Sequence, residues 1–192
     1  MGKSKFEKAF TNLQSFDSDV YMADYTLQTN SAKKVVIQNL PFDDIAYFHL
    51  ENEPSLELLA VNFERNKGFF PSGVRDCESL LKVKNVNDGW FLLCELKYCL
   101  EKNISNNADS AYRQLVNTWQ LLVGRKLLNA KRSRSYFNIA VPDHSEKAPF
   151  SSFIATQDDQ IKWRKKHKIH LLGHNDVLVV NEGILIVPQM KV

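Results

Sequence analysis

The sequence of 192 residues predicts a mixed α/β fold (α+β class) in which helices flank one central sheet. Segments with the 3.6-residue spacing of amphipathic helices are interspersed with short apolar runs bounded by turn residues, which is typical of such folds. The hydrophobic fraction of 44%, with 12 Phe, 6 Tyr and 3 Trp, is sufficient for a buried core and excludes a disordered chain. No repeat, low-complexity tract or linker divides the sequence, so we expect one domain over residues 1–192.

The first third of the chain predicts one helix followed by strands. Residues 3–16 carry four Phe or Leu side chains at helical spacing, and residues 17–31 are polar and give no clear assignment. Three apolar runs, separated by turn-like residues that include proline, are interpreted as strands: residues 34–40, 46–50 and 56–63.

The middle of the chain predicts a β-hairpin and a long helix. Residues 77–83 and 90–98 are apolar runs on either side of 85–89, whose Asn, Asp and Gly supply turn geometry. A polar loop is expected at residues 103–107. Apolar residues at helical spacing then begin at residue 108.

The last third predicts a buried strand, a helix and a second hairpin. Residues 136–141 form an apolar run that Pro142 ends, and residues 150–166 are predicted to be helical. Residues 170–187 are interpreted as two strands joined at 181–183.

The central hairpin carries an unusual pair of carboxylates and a lysine. Glu95 and Lys97 are two residues apart in an apolar strand, so they project from the same face. Glu78 precedes Glu95 by 17 residues, and a turn centred near residue 87 brings the two close together across the hairpin. Two carboxylates so placed repel each other unless a cation lies between them, and hard oxygen ligands suit Mg²⁺ or Mn²⁺.

This hairpin and the helix after it resemble the PD-(D/E)xK nuclease superfamily, which has the restriction-endonuclease-like fold. The resemblance lies in the acidic residue Glu78 at the start of one strand, the Glu95-Leu96-Lys97 sequence that ends the next, and Gln114 on the following helix. It implies an αβββαβ core over about residues 1–141, with the helix and hairpin of residues 142–192 as an extension.

The resemblance also implies roles for individual residues. Glu78, Glu95 and the main-chain carbonyl of Leu96 would hold Mg²⁺ or Mn²⁺, Lys97 would act on the nucleophilic water, and Gln114 would lie beside the substrate. Two further acidic side chains stay open as alternatives: Asp76 as a replacement for Glu78, and Glu7 on the opening helix as an additional ligand.

Basic stretches provide a second indication of function. Residues 1–64 hold 5 basic and 10 acidic side chains, whereas residues 65–192 hold 20 basic and 12 acidic ones. Two clusters in the basic part are predicted to bind nucleic acid, because cations neutralise phosphates and an interleaved Trp can stack on a base. Their members are Arg125, Lys126, Lys131, Arg132, Arg134, Lys162, Trp163, Arg164, Lys165 and Lys166.

Several features point away from other classes of protein. The N-terminus lacks an apolar signal region, no apolar run is long enough to span a membrane, and three cysteines form no disulfide framework, so we expect a cytoplasmic protein. Cys77 and Cys94 are expected to point to the face opposite the acidic residues, and His170 and His174 lack the spacing of a zinc site.

The sequence therefore predicts a metal-dependent nuclease that hydrolyses phosphodiester bonds, with DNA as the expected substrate, in a restriction, defence or mobile-element system. A small nuclease domain often needs a dimer to cut both strands of a duplex, so a homodimer is one expected state. The alternative is a nucleic-acid-binding or protein-interaction module without catalysis, in which Glu78, Glu95 and Lys97 form a cross-strand salt bridge and the basic clusters are solvated helix faces.

Overall fold

The computed structural model describes residues 4–29, 34–86, 88–147 and 157–188. In these ranges the strands are β1 (Leu13–Phe16), β2 (Val20–Asp24), β3 (Val35–Gln38), β4 (Phe48–Glu51), β5 (Leu58–Asn62), β6 (Ser79–Val83), β7 (Phe91–Leu96), β8 (Ser135–Ala140), β9 (Ile169–Leu172), β10 (Asp176–Asn181) and β11 (Ile184–Ile186). The α-helices are α1 (Lys5–Ala9), α2 (Thr26–Thr29), α3 (Ile104–Gly124) and α4 (Gln157–His167). Short 3₁₀ segments lie at Glu64–Phe69, Glu101–Asn103 and Pro142–Lys147.

The strands form two mixed sheets. The first sheet has the order β1-β5-β6-β7-β8-β9. The pairs β1–β5, β5–β6 and β6–β7 are antiparallel, and the pairs β7–β8 and β8–β9 are parallel. The parallel connections run through α3 and α4, because parallel neighbours need a crossover of this length. The second sheet has the order β11-β10-β4-β2-β3, in which only β10 and β4 pair parallel.

Alternating side chains divide the first sheet into two buried faces. On β7, Phe91 and Leu93 join a cluster with Leu115 and Trp119 of α3, whereas Leu92 and Leu96 join a cluster with the second sheet. The first sheet thus packs against α1, α3 and α4 on one face and against the second sheet on the other. The prediction of a mixed α/β fold is confirmed, but the single sheet flanked by helices is wrong.

The opening segment shows why the helical spacing of apolar residues alone predicts too long a helix. Residues 3–16 were expected to be one helix, but α1 ends at Ala9 and Leu13–Phe16 form β1. The buried Asn66 side chain accepts hydrogen bonds from the main-chain N–H groups of Thr11 and Asn12 at 3.0 and 3.1 Å. This tertiary contact draws the chain out of the helix and lets β1 pair with β5.

Two other predictions differ from the structure, at 103–107 and 170–187, and one segment without an assignment contains regular elements. The segment expected to be a loop at 103–107 lies almost entirely in α3, which begins at Ile104, and the unassigned segment 17–31 contains β2 and α2. Residues 170–187 contain parts of three strands rather than two, since β9 joins the first sheet while β10 and β11 form the expected hairpin. Helix α4 begins at Gln157, and the predicted helical residues 150–156 lie outside the described ranges.

Candidate functional site

The register of the β6–β7 hairpin brings Glu78 and Glu95 opposite each other. Ser79 pairs with Cys94 and Lys82 with Phe91, so one further step along the same ladder places Glu78 across from Glu95. This is the register that a turn centred near residue 87 predicts. Both carboxylates lie on the face of the sheet that α3 covers, because they continue the alternation of Leu80 and Leu93.

Both carboxylates are buried and both have identified hydrogen-bond donors. Glu78 is 2% exposed, and its Oε2 accepts a hydrogen bond from the main-chain N–H of Leu96 at 3.1 Å. Glu95 is 1% exposed, and its Oε1 forms an ion pair with the Lys97 ammonium. The Lys97 side chain is 20% exposed, so it forms the more open side of the site.

Helix α3 places Gln114 directly over this pair. Gln114 Oε1 accepts a hydrogen bond from Lys97 Nζ at 3.3 Å, while Gln114 Nε2 donates to the main-chain carbonyl of Asp76 at 2.8 Å. One turn further along α3, Thr118 Oγ1 accepts from the main-chain N–H of Cys77 at 2.9 Å. The two contacts fix the segment before Glu78 against the helix, so Gln114 connects both strands of the hairpin.

The two acidic alternatives, Asp76 and Glu7, have different surroundings from Glu78. Glu78 contacts the backbone of β7, whereas Asp76 lies before the strand, is partly exposed, and contributes its main-chain carbonyl to Gln114. Glu7 lies elsewhere. Its carboxylate accepts hydrogen bonds from Ser4 in the capping box of α1. Glu7 also lies near Lys82, and Lys82 is four residues along the chain from Glu78.

The two cysteines beside the carboxylates lie in different clusters. Cys94 points toward the second sheet, as predicted, and burial together with the nearby Glu78 and Glu95 carboxylates raises the pKa of its thiol well above the usual value. Cys77 instead belongs to the cluster on the α3 side, so the prediction that it points away from that face is wrong. The physical reason is that residue 77 precedes β6 and is held by Thr118.

The chemistry of the oxygen donors fits a hard divalent cation. Two carboxylates on neighbouring strands, with the Leu96 carbonyl between Glu95 and Lys97 in sequence, provide the donors with which proteins hold Mg²⁺. In the described part of the chain, no group of three or more His, Cys, Asp and Glu side chains is placed to hold a metal ion. A cation at Glu78 and Glu95 would therefore take its remaining ligands from water and from substrate oxygens.

A polar groove of about 890 Å³ meets this site at Gln114. It runs between α3 and residues 71–75, and its lining includes Arg75, Arg113 and Asn117. The two arginines are not among the residues predicted from the sequence. Their positions directly before Asp76 and Gln114 were the available signal, because neighbours of a site residue tend to line its approach.

Some of the predicted basic residues lie at the other end of the first sheet. Five of them, Lys126, Lys131, Arg132, Lys165 and Lys166, line a groove of about 1010 Å³ that we call the lysine groove. It is enclosed by α1, the β6–β7 turn, residues 126–133 and the end of α4. Three more lysines also line it: Lys5, Lys82 and Lys168.

The other predicted nucleic-acid ligands have different surroundings. The guanidinium of Arg125 lies over the Phe69 ring at 4.3 Å, and Lys162 is exposed on α4. Arg134 and Arg164 lie close enough to His170 that, with burial as the larger cause, they lower its pKa. The Trp163 ring packs against Tyr112 and His167, at the contact between α4 and α3.

Comparison of the chain with protein-family models, curated proteins and solved structures found no match. Among the helices in the described ranges, none combines the length and apolar character needed to cross a membrane.

Proposed function

We propose that the protein is a metal-dependent nuclease whose site is formed by Glu78, Glu95, Lys97 and Gln114. The observation that carries this proposal is the convergence of two carboxylates and a lysine on one face of adjacent strands, under a glutamine from the next helix. Lys97 contacts both Glu95 and Gln114, so three of the four side chains form one connected set.

The topology around the site supports the resemblance to the PD-(D/E)xK nuclease superfamily. Strands β5, β6 and β7 form an antiparallel meander, α3 crosses over, and β8 returns parallel to β7. Taken with α1, these elements follow the sequence αβββαβ, although β1, β2, α2, β3 and β4 lie between α1 and β5 in the chain. The second sheet, which covers the other face of the first, is an addition to that arrangement.

Each residue of the site has a physical role in the proposed reaction. The Leu96 N–H holds Glu78 in place, and Gln114 holds the Lys97 ammonium near Glu95. A positioned ammonium can orient a water molecule and stabilise the negative charge that develops on a phosphate in the transition state. Bound Mg²⁺ or Mn²⁺ would polarise the phosphate and lower the pKa of a coordinated water.

The polar groove beside Gln114 is the proposed approach for the substrate. Arg75 and Arg113 place two guanidinium groups on its lining, and Arg donors match the geometry of phosphate oxygens. A nucleic acid backbone, with DNA as the first substrate to test, fits this combination of cations next to the carboxylates.

The direct test is cleavage of supercoiled plasmid DNA and of single-stranded RNA with Mg²⁺ or Mn²⁺. We expect metal-dependent cleavage by the wild-type protein, and a loss of about 100-fold or more in Glu95→Gln and Lys97→Met. Glu95→Gln removes a carboxylate that would hold the metal, and Lys97→Met removes the ammonium that would orient the water and stabilise the developing charge. EDTA should abolish cleavage by the wild-type protein.

Glu57→Gln is the matched control, since Glu57 forms an ion pair with Lys84 at a partly exposed position away from the site. It should cleave at the wild-type rate. Absence of cleavage by the wild-type protein with either metal, or equal cleavage by folded Glu95→Gln, would contradict the proposal.

The burial of the two carboxylates favours a second candidate function. Glu78 and Glu95 are only 2% and 1% exposed, and a lysine already pairs with Glu95, as in a structural ion pair. On this account the protein is a nucleic-acid-binding module that retains the arrangement without hydrolysis. Salt-sensitive binding to DNA that persists in Glu95→Gln, with no cleavage under any metal condition, would identify this case.

A further inference from the structure

We infer that the lysine groove binds the sugar-phosphate backbone of a nucleic acid at a site separate from the carboxylates. The two places are distinct in the fold, because Lys82 and Phe91 line the groove while the carboxylates lie at the opposite ends of the same two strands. Phe91 and Glu95 are four positions apart on β7, which corresponds to about 13 Å along the strand.

The charge on the lining is strongly one-sided. Eight of the side chains that line the groove are Lys or Arg, and two are acidic. Both acidic groups already have partners within the protein: Asp88 lies 3.8 Å from Arg132, and the Glu7 carboxylate accepts hydrogen bonds from Ser4. The groove therefore has a surplus of positive charge that an anionic ligand would neutralise.

The cations come from four separate segments and surround a concave space. Lys5 is on α1, Lys82 on β6, Lys126 and Lys131 follow α3, and Lys165 is on α4. A single small anion could contact only a few of them. Their distribution around a groove, rather than over a flat face, suits a chain of phosphates better than a membrane surface.

Contacts between the protein's own groups hold these segments together. Lys5 Nζ donates to the main-chain carbonyl of Arg125 at 3.0 Å, and Lys168 Nζ donates to that of Lys131 at 2.7 Å. The groove is thus formed before a ligand arrives, which limits the entropy lost on binding.

Lys82 lines the groove from β6. Burial, partly offset by the nearby Glu7, lowers the pKa of its ammonium, which lies 5.4 Å from the centre of the Phe6 ring. A partly desolvated ammonium interacts more strongly with a phosphate than an exposed one does.

Backbone strain is concentrated in the same place. Among the described residues, four that are not glycine have positive φ, and three of these line the groove: Asn85, Lys126 and Lys168. Lys126 ends α3 with φ of 57°, at a position where glycine is favoured. Residues held in such conformations are found preferentially at functional sites.

The test is fluorescence anisotropy with labelled oligonucleotides, single-stranded and duplex, in EDTA so that hydrolysis does not contribute. Lys126→Gly removes one cation while relieving the positive-φ strain, so the fold should be retained. We expect its affinity to fall several-fold and the salt dependence of log K to decrease by about 0.7–0.9, the value of one lost phosphate contact. Lys165→Gln with Lys166→Gln should weaken binding further.

Two controls match these changes. Ser55→Gly makes the same backbone change at a positive-φ position that does not line the groove, and Lys102→Gln removes one cation beyond the carboxylate end of β7. Both should bind within about twofold of the wild-type protein. Ser55→Gly changes no charge, and the Lys102 charge is distant from the bound phosphates and therefore largely screened by salt. Binding is measured in EDTA without turnover, which keeps this inference independent of the proposed hydrolysis.

Three results would overturn the inference. One is wild-type affinity in both groove variants, and another is a greater loss in Lys102→Gln than in Lys126→Gly, which would place the nucleic acid at the carboxylate end. The third is binding to vesicles containing phosphatidylserine, but not to oligonucleotides, with the same sensitivity to Lys126→Gly.

Discussion

At the scale of single residues, the central feature is the ion pair between Glu95 and Lys97. Removing two charges from water is costly, and the cost is recovered only when further hydrogen bonds satisfy both groups. Gln114 provides such a bond to Lys97, and it is itself held by the Asp76 carbonyl. The pair thus belongs to a network that reaches from β7 to α3.

This network predicts a strong coupling between the two charges. Lys97→Met should lower the free energy of unfolding by about 2–4 kcal/mol, because it leaves the buried Glu95 carboxylate without its main cation. The double variant with Glu95→Gln should lose less than the sum of the two single variants. Urea denaturation of all four proteins measures this cycle, and additive losses would contradict a coupled pair.

At the scale of secondary structure elements, the turn of the β6–β7 hairpin joins the two sheets. The main-chain N–H of Trp90 donates to the carbonyl of Glu182 at 3.0 Å, which connects this turn to the β10–β11 hairpin. A Cβ atom at Gly89 would lie 3.0 Å from the Glu182 carbonyl oxygen and 3.0 Å from Val86 Cγ1. Only glycine allows this close approach without displacing the backbone.

Gly89→Ala should therefore lower the free energy of unfolding by about 1–3 kcal/mol, as overpacking does. Gly124→Ala is the control, because no atom lies within 4 Å of a Cβ atom at the end of α3. It should raise stability by about 0.5 kcal/mol, since alanine favours the helix. Thermal and urea unfolding measure both, and a neutral Gly89→Ala would show that the turn can shift.

At the same scale, local patterns predicted the hairpin well and the opening helix poorly. The register of Glu78 and Glu95 follows from the two-residue period of strands and from a turn of Asn, Asp and Gly residues, which are local properties. Asn66, which ends α1 by binding Thr11 and Asn12, is more than fifty residues away in sequence. No local pattern contains that contact.

At the scale of the whole molecule, the unpredicted part is the second sheet and the groove. Strand β10 pairs with β4 across more than a hundred residues, and these strands are too short to give a strong periodic signal. The lysine groove likewise combines Lys5, Lys82 and Lys168 from distant parts of the chain. Five of its cations were predicted from the sequence to bind nucleic acid. The sequence did not predict that they line one groove or that this groove lies away from Glu95.

The same architecture places two functional candidates at opposite ends of one sheet. The carboxylates lie under the middle of α3, and the lysine groove lies where α3 ends, ten residues or about 15 Å further along the helix. A nucleic acid held in the groove could extend toward the arginines beside Gln114. This geometry predicts that binding and hydrolysis can be separated by mutation.

The central claim is that Glu78 and Glu95 hold a divalent cation, and crystals soaked in Mn²⁺ test it most directly. We predict an anomalous difference peak about 2.0–2.4 Å from a carboxylate oxygen of each residue. The peak should disappear in crystals of Glu95→Gln. The claim would be contradicted if crystals soaked at an Mn²⁺ concentration that supports cleavage showed no peak between Glu78 and Glu95.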